Sequence, residues 1–254
     1  MPIRLPKTTR LRLPHLRLPD LRLPDLRLLV LGALVVAMPA RADQGPLKLA
    51  ALTNRPSQAP VTPRALAPRL DGSLPPGRLP ASDEVLSYRP DPAVRRRNFE
   101  VFVDRLRAHD AGAAENLDRL LTDNDVIAAA RDWLKPYGMR PENVADAMAV
   151  YLSTAWAAVR GSDADPEPEV MRGLSDQLAA AIGATPGFTR ASDAEKQELA
   201  ESMIVQAVII SRHASAARDH PELQKRVGEA VARGAQATFG LDLTRLDLTV
   251  EGLR

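Results

Sequence analysis

The 254-residue sequence contains no cysteine. That absence excludes disulfides, thiolate zinc sites, iron–sulfur clusters, a cysteine nucleophile and a cysteine-borne lipid anchor. Aromatic residues make up only 4% of the chain, which argues against base-stacking nucleic-acid surfaces and aromatic-lined sugar sites. There is no G-x-S-x-G, no S-x-x-K, no Walker loop, no G-x-G-x-x-G and no H-E-x-x-H, so the common nucleophile, phosphate and zinc motifs are missing together. What is present is 45% apolar residues and a formal net charge of +2. The apolar content suffices for a globular core. The charge belongs to a mildly basic protein only if it is evenly spread, and it is not.

The basic excess sits at the N-terminus. Arg4, Lys7, Arg10, Arg12, Arg17, Arg22 and Arg27 precede an uninterrupted apolar run from Leu28 to Met38, followed by Pro39 and the small-x-small triplet Ala40-Arg41-Ala42. A basic region, a short apolar core and an A-x-A site form a secretory signal peptide, with cleavage expected after Ala42. The run is shorter than the roughly 20 residues that span a bilayer. No adjacent arginine pair precedes it, which favours general secretion over the twin-arginine route. The basic region also holds a five-residue repeat: LRLPH from Leu11, LRLPD from Leu16 and LRLPD from Leu21. Proline at every fifth position prevents a continuous helix, so this is low-complexity sequence and no amphipathic anchor. Residues 1–42 carry eight basic and two acidic side chains, which leaves 26 basic against 30 acidic in residues 43–254. The chain beyond the signal is acidic, and a basic partner surface is no longer implied.

Residues 43–90 contain nine prolines, with apolar residues scattered between them at neither strand nor helix period. Such a segment buries too little to offset its ordering entropy and reads as a disordered, proline-rich linker. Helix signals become dense from Asp91. Asp91-Pro92 opens a first helix to about His109. Asp110 caps a second, and a third runs from Asp125 to Lys135, with Asp123 as its expected cap. A fourth runs from Pro141 to Arg160 with apolar residues on more than one face, as a central helix would have. A fifth ends before Pro186-Gly187. Ser192 and Glu195 form a capping box for the sixth, which carries MIVQAVII from Met203 to Ile210. A seventh starts at Asp219 and Pro221 and closes at Phe239-Gly240. The tail LDLTRLDLT reads as an extended or single-turn segment over the core. The expected fold is all-α: one compact bundle of six to seven helices over residues 91–254.

Candidate site residues are few. The acidic loop Asp163, Asp165, Glu167, Glu169 fails the calcium-loop pattern, since Pro168 and Leu174 occupy the positions that need glycine and glutamate. Arg95-Arg96-Arg97 spans most of a helical turn, so at least one arginine faces the core side. A solvated face outweighs a phosphate site there, because residues 91–254 hold 20 basic against 26 acidic side chains. Polar residues intrude on the fourth helix at Asn143, Asp146 and Tyr151, and on the sixth at Gln206 and His213. Asn143 and Asp146 share a helix face, whereas Tyr151 lies well around the axis. Such residues either fix helix register through hydrogen bonds or line a cleft. Register is favoured; the cleft reading would set Asp146, Tyr151 and His213 together as a hydrolase-like site.

The run Pro136 to Trp156 carries P-Y-G at Pro136-Tyr137-Gly138, N-V-A-D-A at Asn143 to Ala147, Tyr151, and the Ala155-Trp156 pair. With R-x-R-N at Arg95 to Asn98 and the closing FGLDLTRLDLT, this pattern resembles a family of uncharacterised exported bacterial proteins. In that family a signal and a variable spacer precede an all-helical domain of unknown function. The resemblance covers about Tyr88 to Arg254 and carries no activity, so it assigns no catalytic residue. The expectation is an exported, non-enzymatic helical module of the bacterial envelope with an envelope protein as partner. No nucleic acid, cofactor, metal or membrane anchor after cleavage is expected. The alternative is the hydrolase-like enzyme.

Overall fold

The computed structural model describes residues 81–254 apart from His109, Asp163 and Pro186. The expected signal peptide, its repeat and the expected linker as far as residue 80 lie outside the described residues. Eight α-helices follow one another: α1 (Asp83–Leu86), α2 (Pro92–Arg107), α3 (Ala111–Asp123), α4 (Val126–Leu134), α5 (Val144–Val159), α6 (Pro168–Gly183), α7 (Asp193–Ala216) and α8 (Pro221–Phe239). Single 3₁₀ turns sit at Lys135–Tyr137 and Phe188–Arg190, and two short strands, β1 (Leu248–Thr249) and β2 (Gly252–Leu253), close the chain as an antiparallel hairpin. The all-α expectation holds.

Most boundaries follow from local chemistry. Asp91 accepts from the backbone of Ala93 and Val94 ahead of Pro92, and Asp110 accepts from Ala113. Ser192 and Glu195 form the reciprocal capping box. Each arrangement satisfies backbone N–H groups that a helix start leaves without partners. Gly240, at φ 74°, ends α8 in the left-handed conformation that glycine adopts without strain. Two caps differ from expectation. Asp125, not Asp123, caps α4, because its side chain reaches Ala128 N. The fourth predicted helix begins at Val144 rather than Pro141, since Asn143 is its cap and stays extended.

A larger correction concerns the linker, expected to run to residue 90. Residues 81–90 belong to the folded body. Leu86 and Tyr88 are 3% and 5% exposed. The Tyr88 backbone donates to Glu142 O and its hydroxyl to Pro141 O, both at about 3.1–3.2 Å, while Ala81 N donates to Ala179 O. The partners come from α6, α7 and the segment before α5, far away in sequence. A reading of local period cannot see them, because non-local burial decides the structure here.

α5 and α7 form the centre. Ten successive residues of α5, Val144 to Ser153, are buried, as are Lys196 to Glu201 and most of Met203 to Ile210 on α7. The β-branched MIVQAVII run is therefore helical, because burial on several sides suits an all-round apolar helix. The two run in the same direction. Ser87 bridges Asn143 and accepts from Lys196 Nζ at one end, and Ala158 and Ala214 line one depression at the other. α8 packs back along α5, with Gln224 beside Gly161 and Phe239 against Tyr151.

The C-terminal hairpin is fastened to α6. Gln177 donates to Leu253 O and accepts from Leu253 N, both at 2.9 Å, as a neighbouring strand would. A Cβ on Gly173 would lie 1.9 Å from Val250 O, so only glycine allows this approach. Leu241, Leu243 and Leu253 are buried, so the tail does lie over the core.

Candidate functional site

The densest polar chemistry lies where α5, α6 and α7 meet the 81–91 strap. Gln197 and Glu201, four residues apart on α7, share one face. Gln197 clamps the strap: its Oε1 accepts from Asp91 N and its Nε2 donates to Asp91 O, both at 2.9 Å. Glu201 is fully buried. Arg95 Nε donates to Oε1 at 2.7 Å, Gln197 Nε2 to the same oxygen at 2.9 Å, and Asn98 Nδ2 to Oε2 at 3.0 Å. A buried carboxylate with both oxygens engaged and a guanidinium beside it avoids the penalty of an unpaired charge. Of the three consecutive arginines, Arg95 thus faces the core side, while Arg96 and Arg97 are exposed.

A second cluster adjoins the first through Ser87. Arg140 bridges Asp83 and the Ser87 hydroxyl, and Asn143 Nδ2 donates to Asp83 at 3.0 Å. The Arg140 hydrogen bond draws the Asp83 carboxyl below its usual range. Asp146 accepts from Arg140 N at 2.9 Å and from the Ser175 hydroxyl at 2.7 Å. Burial raises its pKa, against the pull of those two bonds. One further acid on this side of α7, Glu198, faces Arg105. Burial pushes its carboxyl up to about 7 despite that cation.

The five candidate residues do not form one site. Asn143 is a helix cap, accepting from Ala145 N and Asp146 N. Asp146 ties the start of α5 to α6. Tyr151 is fully buried against Phe239, ring centroids 5.3 Å apart, and its hydroxyl has no partner. Burial alone raises its pKa. Gln206 donates to Ser202 O, one turn back in its own helix. His213 is half-buried near the far end of α7, its pKa lowered by burial and by Arg212. Ala214 meets Ala158, and Asp146 lies twelve residues before Ala158 on α5. That spacing is roughly 18 Å along the axis. Asp146 and His213 stand at opposite ends of the central helices and cannot act as a dyad.

Glu201, Gln197 and Asn98 escaped the sequence reading. Their trace was present: polar residues at 197 and 201, four apart, on either side of Leu199 and Ala200. Their partner Arg95 on α2, about a hundred residues from α7, was visible only as one of three arginines of which at least one faces the core side. At the far end, Ala158, Gly161, Ser162, Ala214, Arg218, Gln224 and Val227 line a depression of about 50 Å³, room for water rather than a substrate. Among the described residues, no group of three or more His, Asp or Glu is placed to hold a metal ion, and no helix is long and apolar enough to cross a membrane.

The model of a family of unknown function (DUF6683) matches residues 49–254. No curated protein and no solved structure matches the chain.

Proposed function

The chain belongs to that family of unknown function, and we propose that it is an exported, non-enzymatic interaction module of the bacterial envelope. One observation supports the non-enzymatic part: Asp146 and His213, the candidate dyad, stand at opposite ends of the central helices, and the polar residues at the start of α5 and α7 are tied into the fold. Asn143 caps a helix, Asp146 holds Ser175 and Arg140 N, and Glu201 holds Arg95, Asn98 and Gln197. A carboxylate with both oxygens already bonded to backbone and neighbouring donors is poorly placed to take a substrate proton. Export rests on the basic, apolar and Ala-x-Ala pattern that ends at Ala42.

Surface chemistry narrows the kind of contact. Val250 is the one large apolar residue more than a third exposed among the described residues. An apolar patch on the fourth or sixth predicted helix would have favoured binding there, but those helices are the buried α5 and α7. A partner therefore meets a mixed, polar surface of charged side chains, the usual makeup of transient interfaces. The test has two arms. Expression of the full precursor in a bacterial host should yield an exported protein that begins at Asp43 on N-terminal sequencing. Site-specific cross-linkers on the exposed faces of α3, α6 and α8 should then trap one envelope protein from one face only. Retention of the intact precursor in the cytoplasm would sink the export reading. Equal, non-saturating labelling from all three faces would sink the interaction reading.

A further inference from the structure

One surface feature is unused by the fold's polar clusters. Trp133, on the last turn of α4, and Tyr137, in the 3₁₀ turn that follows, are both half-buried. Their ring centroids lie 5.0 Å apart and the planes are tilted by 48°. The pair is fixed from behind by the loop ahead of α6. Trp133 Nε1 donates to Asp165 Oδ1 and the Tyr137 hydroxyl donates to Pro166 O, each at 3.4 Å. Asp132, Asp165 and Glu167 rim the pair, alongside Arg131 and Lys135 of its own segment. Burial, with Asp165 and Glu167 nearby, pushes the Tyr137 hydroxyl up to about 12, and Asp132 and Glu167 are exposed. Two tilted aromatic rings with a carboxylate rim are suited to a proline-rich, arginine-bearing segment. Proline rings pack on aromatic faces with little entropy to lose, and arginine finds both the π faces and the acids.

The chain carries such a segment. Arg55-Pro56, Pro60, Pro63-Arg64 and Pro68-Arg69 follow within fifteen residues. Residues 43–80 hold five basic and two acidic side chains, against 21 basic and 28 acidic in residues 81–254. The charges of the two parts are complementary. Reach also permits the contact. Ala81 is fastened at Ala179 and abuts Gly183, near the end of α6, and the aromatic pair lies by Pro166, just before its start. α6 is 16 residues, about 24 Å. The twelve residues from Arg69 to Ala81 span up to about 40 Å when extended.

We infer that the Trp133–Tyr137 wedge is the docking site of the chain's own proline- and arginine-rich segment, Arg55 to Arg69. This goes beyond the interaction module proposed above, and its test is independent of export. Ala65→Cys and Lys135→Cys are placed together in the full-length chain, where no native cysteine competes, and disulfide formation is followed under mild oxidation. The expected result is an intrachain disulfide in the monomer, formed about tenfold faster than in the same pair carrying Arg64→Glu and Arg69→Glu, the size of effect two partly screened ion pairs give. High salt should narrow the gap. Equal rates with and without charge reversal would overturn the proposal, as chance encounters of the tether would then explain the bond. Disulfides only between two chains would overturn it too, by assigning the wedge to a second copy. Both substituted arginines lie outside the described residues, and an unchanged thermal unfolding midpoint shows that loss of fold does not imitate the expected result.

Discussion

The two ends of the α5–α7 pair hold together by different means. At the start of these helices, α7 presents Lys196, Gln197 and Glu201 to the strap and to α2, and each of the three makes directed hydrogen bonds. At the far end, Gly228 of α8 lies against the backbone of Ala158 and Val159, and midway along α5 Tyr151 lies against Phe239 with an unpartnered hydroxyl. One end is specified by a buried charge, the other chiefly by close packing, with Trp156 and Arg160 donating to the Leu243 and Leu246 carbonyls nearer the surface. Apolar packing alone leaves parallel helices free to slide by a turn at small cost. A buried charge with fixed partners penalises every register but one, which is the best-attested use of such groups.

The sharpest way to break this contrast is to remove the charge. Glu201→Ala leaves Arg95, Asn98 and Gln197 facing a void, and is expected to cost about 3–5 kcal/mol, measured by urea denaturation. At the shape end the sensitivity should be to volume instead. A Cβ on Gly228 would already sit 3.1 Å from Ala158 O, so Gly228→Val is expected to cost about 1–3 kcal/mol through overpacking. A loss as large as that of Glu201→Ala at Gly228, or none at all, would erase the distinction.

The ends should also answer pH with opposite signs. Glu198 has a folded pKa raised from 4.5 to about 7. Its contribution is complete below 4.5 and lost as pH rises through 7, a change on the order of 1–2 kcal/mol once solvent screening is allowed for. His213 is shifted the other way, below 6.5, by burial and by Arg212. Its contribution is complete above 6.5 and lost as pH falls. Unfolding free energies of Glu198→Gln and His213→Gln across pH 4.5–7.5 check both: each substitution should remove one slope and leave the other. The smallest effect belongs to Tyr151→Phe. Deleting a hydroxyl without a partner removes only a desolvation penalty, so the change is expected to be neutral or stabilising by up to about 1 kcal/mol. A clear loss of stability would mean that the hydroxyl has a partner in solution, such as a buried water.

The same contrast explains how much of the molecule was legible in its sequence. Helices α2 to α8 announce themselves locally, through Asp91-Pro92, the Ser192–Glu195 box, Gly240 and apolar residues at helical spacing. The helical reading of MIVQAVII also came from its flanks. The strap at 81–91 did not announce itself, because Leu86 and Tyr88 gain their burial from partners more than fifty residues away. The candidate site fared likewise. Asn143 and Asp146 were visible as polar intrusions on an apolar helix, and the geometry gives them a helix cap and a tie to α6. The separation of Asp146 from His213 was not visible, since the shared direction of α5 and α7 is set by long-range packing. Glu201 drew no reading from the sequence, because its partners Arg95 and Asn98 lie on α2, about a hundred residues away.

The most direct test is a double-mutant cycle on Arg95 and Glu201. Arg95→Met, Glu201→Met and the double variant are compared with the parent by equilibrium urea denaturation. If this buried pair sets the register of the polar end, the coupling should be about 1.5–3 kcal/mol, and the double variant should be more stable than Glu201→Ala. A coupling near zero, with both single variants as stable as the parent, would contradict it.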